Sequence, residues 1–458
     1  MSIERFDLIV RNGRVVLENE VVSKTLGICN GIVASIFDED ACGNTNLSET
    51  VVDARGCYVL PGAIDTHTHV FEPGADYRED FETGTKAAAS GGYTCIMEMP
   101  NSNPAATSVD HFLYKKSLAE KKAVVDYAIW AGAVANNLGK LKDLKEIGCV
   151  AFKGFTLEAG PTFPFLNAAN QYEAMKEVAG LNRVLGFHAE DDTIIQTLKE
   201  KYSNKKWTLE LHEKARPYHA ELNAINQIIL FSSLTNCPVH ICHLSIPEGA
   251  HMIGEAKKRG VDITVESCPH YFVLDYESCS QYGTYALIQP PLRDAERKEQ
   301  MWKYLLDGTI DYMGTDHAPY AQTDKEPCDG NDWGVIGGAP SIDVALPLMY
   351  DEAVLKRGMD PVAFAKAFST NAAKRFGLYP KKGAIQVGAD ADLTILDPNN
   401  SWIVDRTNSF SKTKVTKFPY QNREIHSKVI STIVRGKLVY HDGNILVNPG
   451  YGKMVTPE

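Results

Sequence analysis

Apolar residues in the middle of the chain come in short unbroken runs rather than in alternation. Runs at 61–69, 93–100, 125–132, 149–155, 183–189, 238–244, 262–268 and 310–316 predict eight strands buried on both faces. Between most of them apolar positions recur with a helical period, over Thr107–Lys122, Gln171–Ala179, Ala220–Leu234, Glu248–Lys258 and Ala295–Leu306. Eight strand-then-helix units predict an α/β fold, a (β/α)8 TIM-type barrel, with its chemistry at the carboxyl ends of the strands. The two chain ends read differently. Phe6–Val10 runs into Asn12-Gly13, Leu26–Cys29 into Asn30-Gly31, and Val429–Tyr440 is a strand, a turn and a strand. Residues 1–58 and 384–458 are therefore expected to build one small β-sandwich domain around a barrel at 59–383.

At 458 residues the chain is long enough for a large catalytic domain and a smaller module. With 47 basic against 58 acidic residues its formal charge is −11, which argues against nucleic acid or an anionic membrane as the main partner. The start, Met1–Asp7, has no cationic segment followed by an apolar one, and no window approaches eighteen apolar residues. Ten cysteines are scattered without a CxxC pair, which fits free thiols in a reducing, cytoplasmic setting. Cys242 and Cys268 are read as small apolar filler. The Gly/Pro-rich stretch 318–340 after the eighth strand is long enough to be a substrate loop at the barrel mouth.

The candidate chemistry starts at Ile64-Asp65-Thr66-His67-Thr68-His69. Strand side chains alternate, so His67 and His69 share a face and offer half of a divalent-metal site. An HxH pair alone is weak evidence. Lys153 then falls at the end of run four, His188 of run five, His243 of run six and Asp316 of run eight. Each alone has a dull explanation as a core histidine, a snorkelling lysine or a capping aspartate. Six of them at the same end of five strands point to a metal centre. His240 is expected to be structural, and His317 is open as a partner that orients a ligand.

The chain resembles the amidohydrolase superfamily, in the cyclic-amide branch with dihydroorotases, dihydropyrimidinases, hydantoinases and allantoinases. The resemblance runs over essentially the whole length. It is carried by His67-Thr68-His69, Phe152-Lys153, His188-Ala189-Glu190, His243-Leu244-Ser245, Glu266-Ser267-Cys268-Pro269-His270-Tyr271, Pro290-Pro291-Leu292-Arg293, Thr315-Asp316-His317 and Gly388–Leu393. It implies two divalent ions, normally zinc: one on His67, His69 and Asp316, the other on His188 and His243. Lys153, carboxylated by CO2, would bridge them. A free lysine near pKa ~10.4 brings positive charge to a cation site, whereas its carbamate is a bidentate anion. Two such ions lower the pKa of a shared water toward ~7, and Asp316 can take its proton and pass it to the leaving nitrogen.

Departures from the family narrow the substrate. Dihydroorotases carry an arginine two residues after the second histidine, where this chain has Phe71, although Asn101 of Met99-Pro100-Asn101 is kept. D-selective hydantoinases carry a tyrosine shortly after the lysine, and Gly154–Gly160 has none. Glu82–Ala89, Glu98-Met99-Pro100 and Glu266–Phe272 look allantoinase-like. Asp324-Lys325-Glu326-Pro327 and Tyr379–Gly383 look closer to L-type hydantoinases. Allantoinases commonly place a small polar residue where Phe71 stands. The reading taken is ring opening of allantoin, a small-molecule cyclic ureide, with 5-substituted hydantoins as a near-equal alternative. Family position implies substrate contacts near Ser267, Gln289 and Gly337, together with Phe71 and Asn101. Relatives are often tetramers, so a homo-oligomer is expected. A ligand-less assembly protein is the remote alternative, disfavoured by the six ligand positions, and Lys153 speaks against a mononuclear deaminase.

Overall fold

The computed structural model describes residues 5–38, 48, 50–326 and 332–457. Residues 1–4 of the expected leaderless start, Pro327 of the hydantoinase-like segment and 328–331 of the long loop lie outside the described residues.

The barrel forms as the apolar runs predict. Its strands are Ala63–Thr68, Tyr93–Glu98, Asp126–Ile129 with Ala131–Gly132, Phe152–Phe155, Leu185–His188, Val239–Ile241, Ile263–Ser267 and Tyr312–Met313. All six residues of each of the first two strands are buried, which is why they read as continuous rather than alternating runs. Neighbours pair in parallel from the first strand to the eighth, but the third run breaks at Trp130 into two pieces with different partners. Trp130 spends its backbone N–H on Glu98 O at 3.0 Å and its indole N–H on Thr66 O at 3.2 Å. The eighth strand is only two residues long. Closure there depends on a bridge between Thr68 and His317 and on Asp65. Asp65 accepts from Thr315 N at 2.8 Å and Thr315 Oγ1 at 2.6 Å.

Helices cover the outside, over Val109–Lys122, Ala168–Ala179, Tyr218–Thr235, Pro247–Lys258 and Ala295–Leu306. Ser108 and Asp294 start two of them by accepting from the backbone N–H three residues on. No described helix is long and apolar enough to cross a membrane. Eight described cysteines are free, and Cys242 and Cys268 are buried.

The chain ends assemble two sheets that pack face to face. Leu8–Arg11, Thr25–Cys29, Ile32–Phe37 and Val51–Asp53 form one. The other joins Arg14–Val16, Val21–Ser23 and Tyr58–Pro61 to Leu393–Asp397, Lys428–Val434, Lys437–His441 and Asn444–Ile445. Leu8, Leu26 and Val33 from the first meet Val59, Leu393 and Ile433 from the second in one buried cluster. Tyr58–Pro61 belongs to the small sheet, and Ala63 opens the barrel. A buried ion cluster ties sandwich to barrel: Lys382 Nζ lies 2.6 Å from Asp126 and Asp392 and 2.9 Å from Asp390, and Arg435 pairs with Asp126.

Candidate metal centre

His67, His69, Lys153, His188, His243 and Asp316 all line one cavity of about 180 Å3 at the carboxyl ends of the barrel strands. His67 and His69 sit at the end of the first strand, with ring centroids 5.3 Å apart, as their period-two spacing predicts. The chain of rings continues from His67 to His243 at 5.1 Å and from His243 to His188 at 4.5 Å. Asp316 Oδ1 lies 3.5 Å from His67 Nε2 and 3.4 Å from His69 Nε2. These three residues have donor atoms close enough together to hold a metal ion. Asp126, Asp390 and Asp392 are also that close, but Lys382 already supplies their cation.

Backbone strain concentrates here. His243 has φ 38°, Asp316 φ 43° and Phe71 φ 56°. Left-handed backbone disfavours any side chain bearing a Cβ and costs of order 1–3 kcal/mol, so three instances around one cavity mark a functional site.

Two buried carboxylates that the sequence reading gave no role orient the histidines. Glu266 Oε1 lies 2.6 Å from His67 Nδ1 and also takes Thr66 Oγ1 on its other oxygen. Burial opposes ionisation of Glu266, but His67 and His240 outweigh it and hold its carboxyl well below the usual range. An ionised Glu266 can only accept, so the proton sits on His67 Nδ1 and Nε2 presents its lone pair to the cavity. Glu190 acts likewise on His188, whose Nε2 is 2.6 Å from Oε2. Glu190 is gripped by Arg216, which donates through Nε at 3.1 Å and through Nη2. Against burial, Arg216 and His188 pull the Glu190 carboxyl down to about 2.

His67, His188 and His243 are neutral at ordinary pH. Burial, with Lys153 beside it, pushes His67 down to about 4 despite Glu266 and Asp316. Burial pushes His243 well down and also lowers His188. Asp316 stays ionised: burial resists, but His67 and a hydrogen bond from His69 hold its carboxyl below the usual value. Three of the donors are therefore neutral imidazoles and a fourth is a carboxylate, the forms a divalent cation needs.

Two of the six candidate ligands carry a buried atom without a partner among the described residues. Lys153 Nζ is buried and has no hydrogen-bond partner among the described residues, and neither has His243 Nδ1. A buried ammonium left without an acceptor is costly, so this lysine suits conversion to a group that binds cations. The residues present fit a metal centre.

Of the expected substrate contacts, Asn101, Gln289 and Gly337 line the cavity, and the loop after strand eight adds Ala318, Tyr320 and Ile336. Phe71 stands behind this wall, stacked on His69 at 5.8 Å. Ser267 is outside the wall: its hydroxyl donates to Leu244 O at 2.7 Å and its carbonyl accepts from Gly314 N at 3.1 Å. Its bonds are spent inside the barrel. His240 is structural, with Nδ1 3.0 Å from Tyr312 OH. His317 is a backbone clamp, its Nδ1 accepting from Ser341 N at 3.1 Å and Ile342 N at 3.3 Å. Arg216, Glu190, Glu266 and Tyr320 were not singled out from sequence. Glu190 and Glu266 could have been, because each lies within a motif that carries the family resemblance, Glu266 on an otherwise largely apolar strand and Glu190 two residues beyond the end of one.

Comparison with known proteins agrees with this geometry. Residues 58–439 match the amidohydrolase family. Allantoinases of Salmonella newport (strain SL254) and Salmonella heidelberg (strain SL476) are 36% identical over 442 residues, covering 95% of this chain and 95% of theirs. Among solved structures, the L-hydantoinase (dihydropyrimidinase) from Arthrobacter aurescens superposes with a TM-score of 0.94 at 32% identity, covering 98% of this chain and 100% of that one. The D-hydantoinase (dihydropyrimidinase) from Thermus sp. follows with a TM-score of 0.90 at 28% identity, covering 98% and 99%. From its strand-end histidines to its full-length likeness to these enzymes, the chain belongs to the amidohydrolase family.

Proposed function

We propose that this protein is a cyclic amidohydrolase that opens the ring of allantoin by hydrolysis. The observation that carries the reading is the unpartnered Lys153 ammonium buried among four histidines and Asp316, in a chain 36% identical to allantoinases over 95% of its length. His67, His69 and Asp316 would hold one zinc ion, His188 and His243 a second, with carboxylated Lys153 shared between them. Bound there, the two cations supply Lewis acidity, acidifying a water and polarising the amide carbonyl. Carboxylation would take two protons from the Lys153 ammonium, one to free the amine and one as the amine adds CO2, and so would exchange a buried positive charge for an anion with two oxygens. Glu266 and Glu190 keep the ligating nitrogens of His67 and His188 deprotonated. Asp316, ionised and within 3.5 Å of both strand-one histidines, accepts the proton of the attacking water and returns it to the leaving ring nitrogen. Asn101, Gln289 and Gly337 read the N–H and C=O edges of the ureide.

We assign this chemistry to 59–383 and an accessory role to the sandwich from 1–58 and 384–458, in a cytoplasmic homo-oligomer. Hydantoin hydrolysis is the second reading, favoured by Phe71, an apolar ring stacked behind His69 where allantoinases commonly place a small polar residue. The metal-loaded protein offered allantoin, 5-substituted hydantoins of both hands and dihydrouracil tests both. Preferred opening of allantoin supports the first reading, and faster opening of 5-benzylhydantoin replaces it with the second. Turnover of none of them overturns both.

A further inference from the structure

One side of the cavity is an aromatic wall with a polar tip that the reaction above does not use. His69 stacks on Phe71 at 5.8 Å, and Phe71 meets Tyr320 at 5.0 Å. Tyr320 lines the same cavity as the ligand residues without belonging to their set, which leaves its phenol for a substituent on the ring.

Tyr320 is held from several sides. The Arg78 guanidinium lies 4.9 Å from its ring centre and is itself fixed by Asp324, through Nη2 at 2.7 Å and Nε at 2.9 Å. Lys325 Nζ lies 5.5 Å from the same ring and donates to the carbonyls of Leu287, Ile336 and Gly338, each at 3.1 Å. Residue 338 must be glycine, because a Cβ there would come within 2.5 Å of Tyr320 Cε2 and 2.7 Å of Ala318 O. At 337 a Cβ would lie 2.9 Å from Gln289 Cγ, so the glycine pair lets the loop backbone lie flat between Tyr320 and Gln289.

A ring so fixed keeps its place on the cavity wall, yet its hydroxyl has no hydrogen-bond partner among the described residues. Burial raises its pKa despite Arg78, with Asp316 adding to the rise, so the phenol stays protonated and can both donate and accept.

We propose that Tyr320 is the specificity-determining residue for the substituent on the ring, its phenol exchanging hydrogen bonds with a polar, ureide-type substituent, a bond that the apolar Phe71 behind it cannot make. The inference rests on the cyclic-ureide reading and names the residue that chooses within that class. A ureido group pressed against apolar rings alone would lose its water without replacement, whereas the phenol restores one bond. An aromatic substituent loses nothing when that oxygen is removed.

The test is Tyr320→Phe, with kcat and KM measured on allantoin and on 5-benzylhydantoin for the metal-loaded parent and variant. We expect kcat/KM for allantoin to fall about tenfold, mainly through KM, while 5-benzylhydantoin stays within about twofold of the parent. Equal losses on both substrates, or no loss on either, overturn the assignment of Tyr320 and leave the cyclic-ureide reading standing. A parent that opens neither ring overturns that reading and this inference with it. Melting of the variant close to the parent accompanies a genuine change of specificity, and the ratio between the two substrates is a readout that a general loosening of the fold would not move.

Discussion

Glu266 and His67 lie 199 residues apart in the chain and 2.6 Å apart in the fold. The carboxylate fixes the imidazole tautomer that the proposed metal requires. Glu266→Gln keeps the shape but lets the amide present an N–H to His67 Nδ1. Metal affinity should fall by about 10–100-fold, as for other residues that orient ligands. Equilibrium titration with zinc against a competing chelator measures it, and unchanged affinity would remove Glu266 from the site's design.

Lys153→Ala should abolish turnover, because two cations would face one another without their shared anion. Short carboxylic acids in solution should restore part of the activity by filling the gap. Near-normal turnover of the unsupplemented variant would show that Lys153 is no bridge, and metal analysis of the parent should give close to two ions per chain.

Asp316→Asn should retain the fold and lose activity by about 10²–10⁴-fold, since an amide can neither accept nor return the proton. Weakened metal binding at His67 and His69 adds to that loss. A variant with more than a tenth of the parent rate at saturating metal would exclude Asp316 as the proton shuttle.

Acid should destabilise the metal-free protein through its buried histidines. His67 is pushed down to about 4, whereas in the unfolded chain it titrates near ~6.5. Between those values the unfolded chain holds more protons, so this contribution is complete above ~6.5 and is lost as pH falls toward 4. The loss is about 1.4 kcal/mol per pH unit for each such histidine. Melting curves of chelator-treated protein from pH 7.5 downward should show it, and added zinc should hold Tm up across the upper part of the window. A metal-free Tm flat across that range would contradict the burial argument.

Dihydroorotate should be a very poor substrate. Where a dihydroorotase has its arginine this chain has Phe71, and a buried carboxylate without a paired charge costs several kcal/mol. Arg216 lines the cavity, but its guanidinium is already engaged by Glu190. Efficient hydrolysis of dihydroorotate would mean that Arg216 exchanges partners and takes the substrate carboxylate.

Much of this protein is written locally in its sequence. Runs buried on both faces announce the eight barrel strands, and the helical stretches appear within a few residues of their expected bounds. His67 and His69 share a face because strand side chains alternate, and this needs no knowledge of the rest of the fold. What the pattern cannot give is partnership across the barrel. Closure of the barrel brings Glu266 on the seventh strand to His67 on the first, and the helix Leu209–Ala215 delivers Arg216 at its end to Glu190 after the fifth strand. No period in the sequence encodes either contact. Likewise, nothing local says that Ser267 spends its hydrogen bonds inside the barrel, or that the eighth strand is two residues long and closed by Asp65 on Thr315. The sequence determined which groups could bind a metal, because residue type and strand period are local properties. Tertiary structure alone decided how those groups are oriented and which ring faces the substrate, because both follow from contacts between separate segments, 199 residues apart for Glu266 and His67 and 26 for Arg216 and Glu190.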